Sequence, residues 1–538
     1  MCGMDRRQFL FASALFSPLA QQMAWANLRE PVTLPVAVPR WKADPFALGV
    51  ASGEPGPHGV LLWTRLYPGQ ALAGQSATEA EWRAYFEEKS GVTALFSIEV
   101  SYEIYQDEQL KTRVATGAVR TDVHRAWSVH AQVKGLEPDR HYWYRFRCGD
   151  VTSPVGRTRT SPLPDADVRR LRLALASCQH YEQGYYAAHA DIARRDVDLV
   201  AFVGDYIYES SNPRYRIRPH TGGVPRTLPE YRERHALYKL DADLRASHAA
   251  HPWVCTWDDH EVVNDYANDQ DQAYSDPQKA LKRRAAAYQA YFEHMPVWPG
   301  GPGGAHQRIH SHRYWGQLAD LWMLDCRQYR SPQPCRDPLK GGGRVVVDCS
   351  ERDDPSQTML GLAQEAWLAE GLAASRRTWR LVAQSTQISS TTVATPLGRS
   401  AFTDGWDGYT AARTRLLQAM STGPRNVLTL GGDVHQHVAA NLRLQPNQPD
   451  SPVIAGEFVC SSITSRGMGE SMLERIRANN PDILHARSDE KGYVLVDVTP
   501  QTIEGTFLGT PFPAQAGASL GVQARYRVQN GRAGVEAA

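Results

Sequence analysis

Four apolar runs in this chain each end in residues of metal-binding type, and this pattern constrains the fold more than any other feature. Leu171 to Ser177 leads into Cys178. Leu199 to Val203 leads into Gly204-Asp205-Tyr206-Ile207-Tyr208. Trp253 to Trp257 leads into Asp258-Asp259-His260-Glu261. Val427 to Leu430 leads into Gly431-Gly432-Asp433-Val434-His435. Open α/β sheets bind ligands outside the carboxyl ends of their strands. Four such ends can therefore gather Cys, Asp, Tyr and His side chains around one point.

The surrounding texture supports such a sheet. Past Pro164, strand-like runs alternate with helical stretches, as in a layered α/β domain. Helices are expected over Tyr185 to Arg195, Pro277 to Glu293 and Gly361 to Ser375. In the last, Leu362, Trp367, Leu368 and Leu372 recur at helical spacing. The Gly/Pro-rich stretch Gly300 to Gly304 reads as a loop.

From Pro45 to Thr160 the pattern is short alternating strands, such as Val60 to Trp63, Phe96 to Val100 and Ser128 to Val133. The Leu136-Glu137-Pro138 turn, with Tyr142 following, looks like the tyrosine corner of immunoglobulin-like and fibronectin-like sandwiches. At 538 residues the chain is too long for one small core. Two domains are expected: an N-terminal β-sandwich over 27–165 and an α/β (α+β layered) domain over 166–538 that closes with a short tail after Thr510.

The ligand types narrow the chemistry. Carboxylates and a phenolate are hard oxygen donors that suit ferric iron, calcium, magnesium or manganese. A thiolate beside them favours a transition metal, iron above all. Tyr208 lies three residues after Asp205, close enough for both to reach one ion. The Gly pair before Asp433 permits close backbone approach. Taken singly, each residue has an ordinary explanation: Cys178 as a small buried hydrophobe, Asp258-Asp259 as a helix cap, His435 as a satisfied polar group. Four co-directed clusters outweigh those separate accounts.

The N-terminus reads as an export signal. Arg6-Arg7 precedes an apolar stretch from Phe9 to Ala20, and Ala24-Trp25-Ala26 offers a cleavage site. Residues 1–26 are therefore expected to be a twin-arginine signal peptide. The translocation machinery would be a transient partner, and the destination periplasmic or extracellular. No later segment reaches the roughly 18 apolar residues of a membrane span. Lys plus Arg total 59 against 58 Asp plus Glu, so nothing calls for nucleic acid as a stable partner. Without Cys2, seven cysteines remain, an odd number for an exported chain. Cys335 and Cys349 flank a Gly-rich loop and can form a disulfide across it, although sequence does not fix the pairing.

Specific motifs now bear on family. Phe46 to Pro55 and Leu62 to Leu66 resemble the N-terminal domain of PhoD-like alkaline phosphatases/phosphodiesterases. Ala176 to Gln179, Gly204 to Glu209, Trp257 to Val262, Leu324 to Arg330 and Gly431 to His435 resemble that family's catalytic blocks, in order. The resemblance implies a metallophosphoesterase core related to purple acid phosphatases. It also implies a ferric ion (Fe3+) on Cys178, Asp205, Tyr208, Asp433 and His435. Asp205 would bridge to a second site with Asp259 and calcium (Ca2+), and His260 would sit over the phosphate. Cys326 departs from the pattern, where a residue such as Thr is expected.

The expected function is hydrolysis of phosphate mono- or diesters by hydroxide or oxide held between the metals, with His260 assisting as the catalytic side chain. Alternatives are a phospholipase D-like phosphodiesterase on the same fold and, in another class, a non-catalytic secreted binding protein. Arg218, His220 and Arg234 are read as a solvated basic loop rather than as phosphate contacts, and Trp257 as packing.

Overall fold

The computed structural model describes residues 36–37, 41, 43–67, 97–298, 304–423 and 425–538. The expected signal peptide, most of the Pro-rich arm after it, Phe96 and the loop at 300–303 lie outside these residues.

Two large sheets face each other. One has ten strands, ordered Glu536–Ala537, Gly521–Gln529, Thr502–Pro511, Glu490–Val498, Leu171–Ala176, Leu199–Phe202, Pro252–Cys255, Val50–Gly56, Gly59–Arg65 and Ser128–Lys134. The other has seven, ordered Ser311–Trp315, Ala319–Met323, Trp379–Ala383, Val427–Gly431, Val453–Val459, His437–Arg443 and Ile483–Arg487. Leu173, Leu175, Ala201 and Val254 of the first sheet pack against Leu321, Leu381, Leu428, Leu430 and Phe458 of the second. The outer faces are covered by helices. Ala187–Arg194, Leu228–Lys239 and Pro277–His294 cover the first sheet, and Leu362–Ala374 and Thr410–Ser421 cover the second.

This layering explains the apolar runs. Leu171–Ala176, Leu199–Phe202 and Pro252–Cys255 are parallel neighbours, as are Trp379–Ala383, Val427–Gly431 and Val453–Val459. Parallel strands in the middle of a four-layer stack are covered on both faces, so they read as continuous hydrophobic stretches rather than alternating ones. Their shared direction puts their carboxyl ends on one edge. The helices expected from periodicity form as Ala187–Arg194, Pro277–His294 and Leu362–Ala374. Pro277 starts the second without losing a hydrogen bond, because Asp276 caps it through the amides of Gln278 and Lys279.

The first segment is less separate than its sequence texture implies. Val50–Gly56, Gly59–Arg65 and Ser128–Lys134 continue the ten-stranded sheet, joined where Ser52 and Gly53 pair with Pro252 and Trp253. Ser97–Tyr105, Arg113–Asp122, His141–Cys148 and Gly156–Arg159 lie in a six-stranded sheet that packs on these three strands through Ile98, Val100, Tyr144 and Phe146. Tyr142 Oη accepts from the Glu137 amide at 2.9 Å, the back-bond read from the Leu-x-Pro turn. The chain after Thr510 also departs from expectation. Rather than a bare tail, it turns back as Gly521–Gln529 and adds a strand to Thr502–Pro511, because each new strand satisfies an open row of backbone groups. Cys335 and Cys349 form a disulfide.

Candidate metal centre

The strand ends achieve their turn at a conformational cost. Cys178, Asp205, Asp433 and His435 all have positive φ, at 59°, 57°, 65° and 56°. A side-chain-bearing residue there costs about 1–2 kcal/mol. Four such residues on one edge are a strain that the surrounding structure must hold in place, a habit of functional sites. Gly204 has φ +119°, and a Cβ on it would lie 2.6 Å from Asp258 Cβ. Gly432 meets Ser177 Oγ in the same way, at 2.6 Å. These glycines let the ligand-bearing turns approach one another.

Donor atoms of Cys178, Asp205 and His435 lie within 4.8 Å of one another, as do those of Asp205, Asp259 and His260, and those of Asp205, Asp258 and Asp433. Asp205 is common to all three groups, which is the placement a bridging carboxylate needs. Tyr208 Oη is 2.7 Å from Asp205 Oδ2 and 3.0 Å from His435 Nε2, and it accepts from Ser465 Oγ at 2.8 Å. His435 Nδ1 faces the Arg466 carbonyl at 2.9 Å. A carbonyl only accepts, so Nδ1 carries the proton and the Nε2 lone pair points at the cluster. Burial pushes the His435 imidazole down to about 3, which keeps it neutral. Thr386 Oγ1 donates to Asp433 Oδ2 at 2.7 Å.

A second set adjoins the first. Donor atoms of Asp259, Asp265 and Asp404 also lie within 4.8 Å of one another. Arg327 is buried among them. Its Nε donates to Asp258 Oδ1, its Nη1 to Asp404 Oδ2 at 2.8 Å, and its Nη2 lies 3.8 Å from Asp259 Oδ1. Glu261 ties the strand ends together by accepting the amides of Tyr206 at 2.6 Å, Asp258 at 2.8 Å and Asp205 at 3.2 Å.

The electrostatics call for cations. Burial, then the neighbouring negative groups, raises Cys178, Asp205, Tyr208 and Asp433 well above their ordinary values. Burial opposes charge on His260 too, yet Glu209, Asp259 and Asp205 hold it well above the usual imidazole range. Asp258 Oδ2 and Asp259 Oδ1 are buried without a hydrogen bond. Arg327, Arg330 and His260 are the buried cations set against Asp205, Asp258, Asp259, Asp404 and Asp433. Without cations these groups keep their protons; bound cations would let them ionise together. Carboxylate and phenolate oxygens with a thiolate and an imidazole fit a hard ion beside a transition metal.

All seven residues singled out from sequence, Cys178, Asp205, Tyr208, Asp259, His260, Asp433 and His435, meet on this edge. Sequence reasoning missed Asp258, Asp265 and Asp404 as donors, and Glu209, Glu261, Arg327, Thr386 and Ser465 as their supports. Of these, Asp258, Glu209, Glu261 and Arg327 lie inside motifs that sequence reading had noticed without assigning them work at the centre.

Arg218 and His220 lie in a largely exposed loop but their side chains are engaged, and Arg234 lies in the helix Leu228–Lys239. Arg218 pairs with Asp241 at 2.6 Å, and His220 Nε2 lies 3.0 Å from Tyr238 Oη. Buried Arg234 donates to the Glu209 carbonyl at 3.0 Å. Arg234, which also donates to the Tyr208 carbonyl, anchors the segment that carries Tyr208. Trp257 is fully buried, stacked on Tyr288 at 4.0 Å. Cys326 is buried with its thiol against Gln384 Oε1.

The layered sheets and this edge define a class: metal-dependent enzymes whose centre sits on turns after parallel strands. Comparison with known proteins narrows it. The PhoD-like phosphatase profile matches residues 173–507, and that of the PhoD-like phosphatase N-terminal domain matches residues 33–162. Alkaline phosphatase D of Bacillus subtilis (strain 168) is 37% identical over 541 residues, covering 99% of this chain and 88% of that protein. A solved structure of PhoD superposes with a TM-score of 0.84 at 36% identity, covering 93% of each chain. The chain belongs to the PhoD-like phosphatase family.

Proposed function

We propose that this protein is an exported, metal-dependent alkaline phosphatase with phosphodiesterase activity. The observation that carries this reading is the sharing of Asp205 among three donor groups on one strand edge. Cys178, Asp205, Tyr208, Asp433 and His435 would hold a ferric ion, and Asp205 with Asp259 a calcium ion. Such ions, when bound, neutralise phosphate oxygens and acidify water.

The side chains around them have separate tasks. His260 Nδ1 is committed to Glu209, so Nε2 is the nitrogen left for substrate. It donates a hydrogen bond to an equatorial phosphate oxygen or a proton to the departing alcohol. Asp205 and Asp433 are kept in register by Tyr208, Glu261 and Thr386, which fixes the donors before substrate arrives. Neutral His435 presents a lone pair rather than a proton.

We read the four layers as a metallophosphoesterase core over 166–538, behind a sandwich over 27–165. The separate profile matches support that division. Residues 1–26 would direct twin-arginine export to the periplasm or beyond. Among the described residues no helix is long and apolar enough to cross a membrane.

The test is hydrolysis of a chromogenic phosphate diester before and after chelation, alongside a monoester and phosphatidylcholine. Metal analysis and a visible spectrum accompany it. Chelation should abolish turnover. A colourless, iron-free and fully active enzyme refutes the ferric assignment.

A further inference from the structure

Lys491 is fully buried beside the centre and makes no ion pair among the described residues. It lies second in the strand Glu490–Val498 of the ten-stranded sheet. Its side chain crosses to the turn between Val427–Gly431 and His437–Arg443 of the other sheet, where Nζ donates to the His435 carbonyl at 2.9 Å. Ser461 Oγ reaches the same oxygen at 3.4 Å, but its shorter bond, at 2.9 Å, goes to the Glu490 carbonyl. The Phe512 ring centroid is 5.7 Å from Nζ. Gly467 leaves room for the Lys491 contact: a Cβ there would lie 2.5 Å from the His435 oxygen and 3.2 Å from Lys491 Nζ.

Two constraints therefore meet on His435. Its ring is held through Nδ1 by the Arg466 carbonyl. Its backbone, in the left-handed region at φ 56°, is held through its carbonyl by Lys491. Together they aim the Nε2 lone pair at the donor cluster, as outer contacts commonly do for a metal-binding imidazole. A neutral donor such as Ser461 is enough to satisfy a carbonyl, whereas a buried ammonium is costly unless negative charge lies near it. Burial opposes the charge on Lys491, and of the groups that favour it Cys178 comes first. Cys178, Asp205, Tyr208 and Asp433 would bring four negative charges to a trivalent ion, one more than it carries. A buried cation beside Cys178 suits that excess.

We propose that Lys491 is a positioning residue for the iron side of the centre: it clamps the His435 carbonyl so that Nε2 faces the ion, and it sets a positive charge against the Cys178 thiolate. This rests on the ferric reading above. The test uses the whole protein as wild type, K491M, K491Q and K491R, each stripped by chelation and reloaded with ferric iron. Affinity is read by competition with a chelator of known strength, and thermal melts are taken of the stripped and the loaded proteins. K491M should hold iron at least about tenfold more weakly than the wild type, the scale of a lost outer contact. K491R, which keeps both donor and charge, should stay within about threefold of the wild type, and K491Q, which keeps only the donor, should fall between K491R and K491M. Stripped K491M should melt no lower than the stripped wild type, because it buries no uncompensated ammonium. Loaded K491M should melt lower than the loaded wild type, in step with its lost affinity.

Equal iron affinity in the wild type and K491M overturns the positioning role. So does a K491M that melts lower by the same amount with and without iron, the mark of packing alone. Should K491M not fold, the other two variants decide: a glutamine variant that holds iron as well as the arginine variant overturns the role, and a weaker one supports it. Wild-type protein that takes up no iron overturns the ferric reading itself and the role with it, whereas the variants bear on the role alone.

Discussion

Glu209 Oε2 lies 2.6 Å from His260 Nδ1, and the other Glu209 oxygen accepts the Asn264 amide at 3.0 Å, so a buried carboxylate fixes the imidazole that overlooks the centre. Glu209 follows Tyr208 and His260 follows Asp259. The partners of the pair therefore ride on the same turns as the metal donors and move with them.

The first prediction follows from that pair. Glu209→Gln keeps the shape but removes the charge that sustains the imidazolium. We expect kcat to fall by about 10²-fold, the scale of a lost general acid or its orienting partner. KM should change by less than about threefold. Steady-state kinetics on a phosphate diester decides it. A raised KM with kcat intact would place His260 in ground-state binding instead.

Tyr208→Phe tests the phenolate. The variant loses the group that touches Asp205, His435 and Ser465 but keeps the ring, which lies 4.1 Å from that of His260. Loaded with ferric iron, the wild type should show a visible tyrosinate charge-transfer band, and the variant should not. Activity should fall at least about tenfold, as expected for a lost donor. A band that persists in the variant would assign the colour to Cys178 instead.

How much of this was legible in the chain depends on range. Strands covered on both faces announce themselves as apolar runs, and the donors at their ends follow immediately, so Cys178, Asp205 and His435 could be read directly. Asp265 and Asp404 sit in irregular segments with no period to mark them, and their neighbour Arg327 is brought in by the fold. Arg218 and His220 looked like a solvated loop because their partners, Asp241 and Tyr238, lie about twenty residues away in the next helices. The pairing of Ser52 and Gly53 with Pro252 and Trp253 spans 200 residues, and no local pattern encodes it.

Acid should destabilise the protein through its buried histidines. Burial lowers His189 from its ordinary 6.5 to about 3 and His251 to about 4. Above pH 6.5 neither state binds the proton and there is no effect. Below it the unfolded chain binds protons that the folded chain refuses, so stability falls as pH drops from 6.5 towards 4. Each such histidine contributes a slope of up to about 1.4 kcal/mol per pH unit. Urea unfolding at pH 7.5 and pH 5.0 measures the slope. His189→Gln should flatten it, and an unchanged slope in that variant would show that other groups govern acid sensitivity.

Asp433→Asn should have opposite effects with and without metal. In the stripped protein, Asp433 adds a buried carboxyl to a set that already includes Asp205, Asp258 and Asp259, and burial together with Asp258 pushes it well above the carboxylate range. The amide removes that repulsion and still accepts from Thr386, so the chelated variant should melt higher than the chelated wild type. With metal restored the order should reverse. An ion that binds only the folded state stabilises it by about 2.7 kcal/mol at a hundredfold excess over Kd, and the variant forfeits part of that affinity. Thermal melts of both proteins, chelated and reloaded, give four midpoints. If the variant melts lower in both conditions, Asp433 acts through packing rather than charge, and its place among the metal donors must be withdrawn.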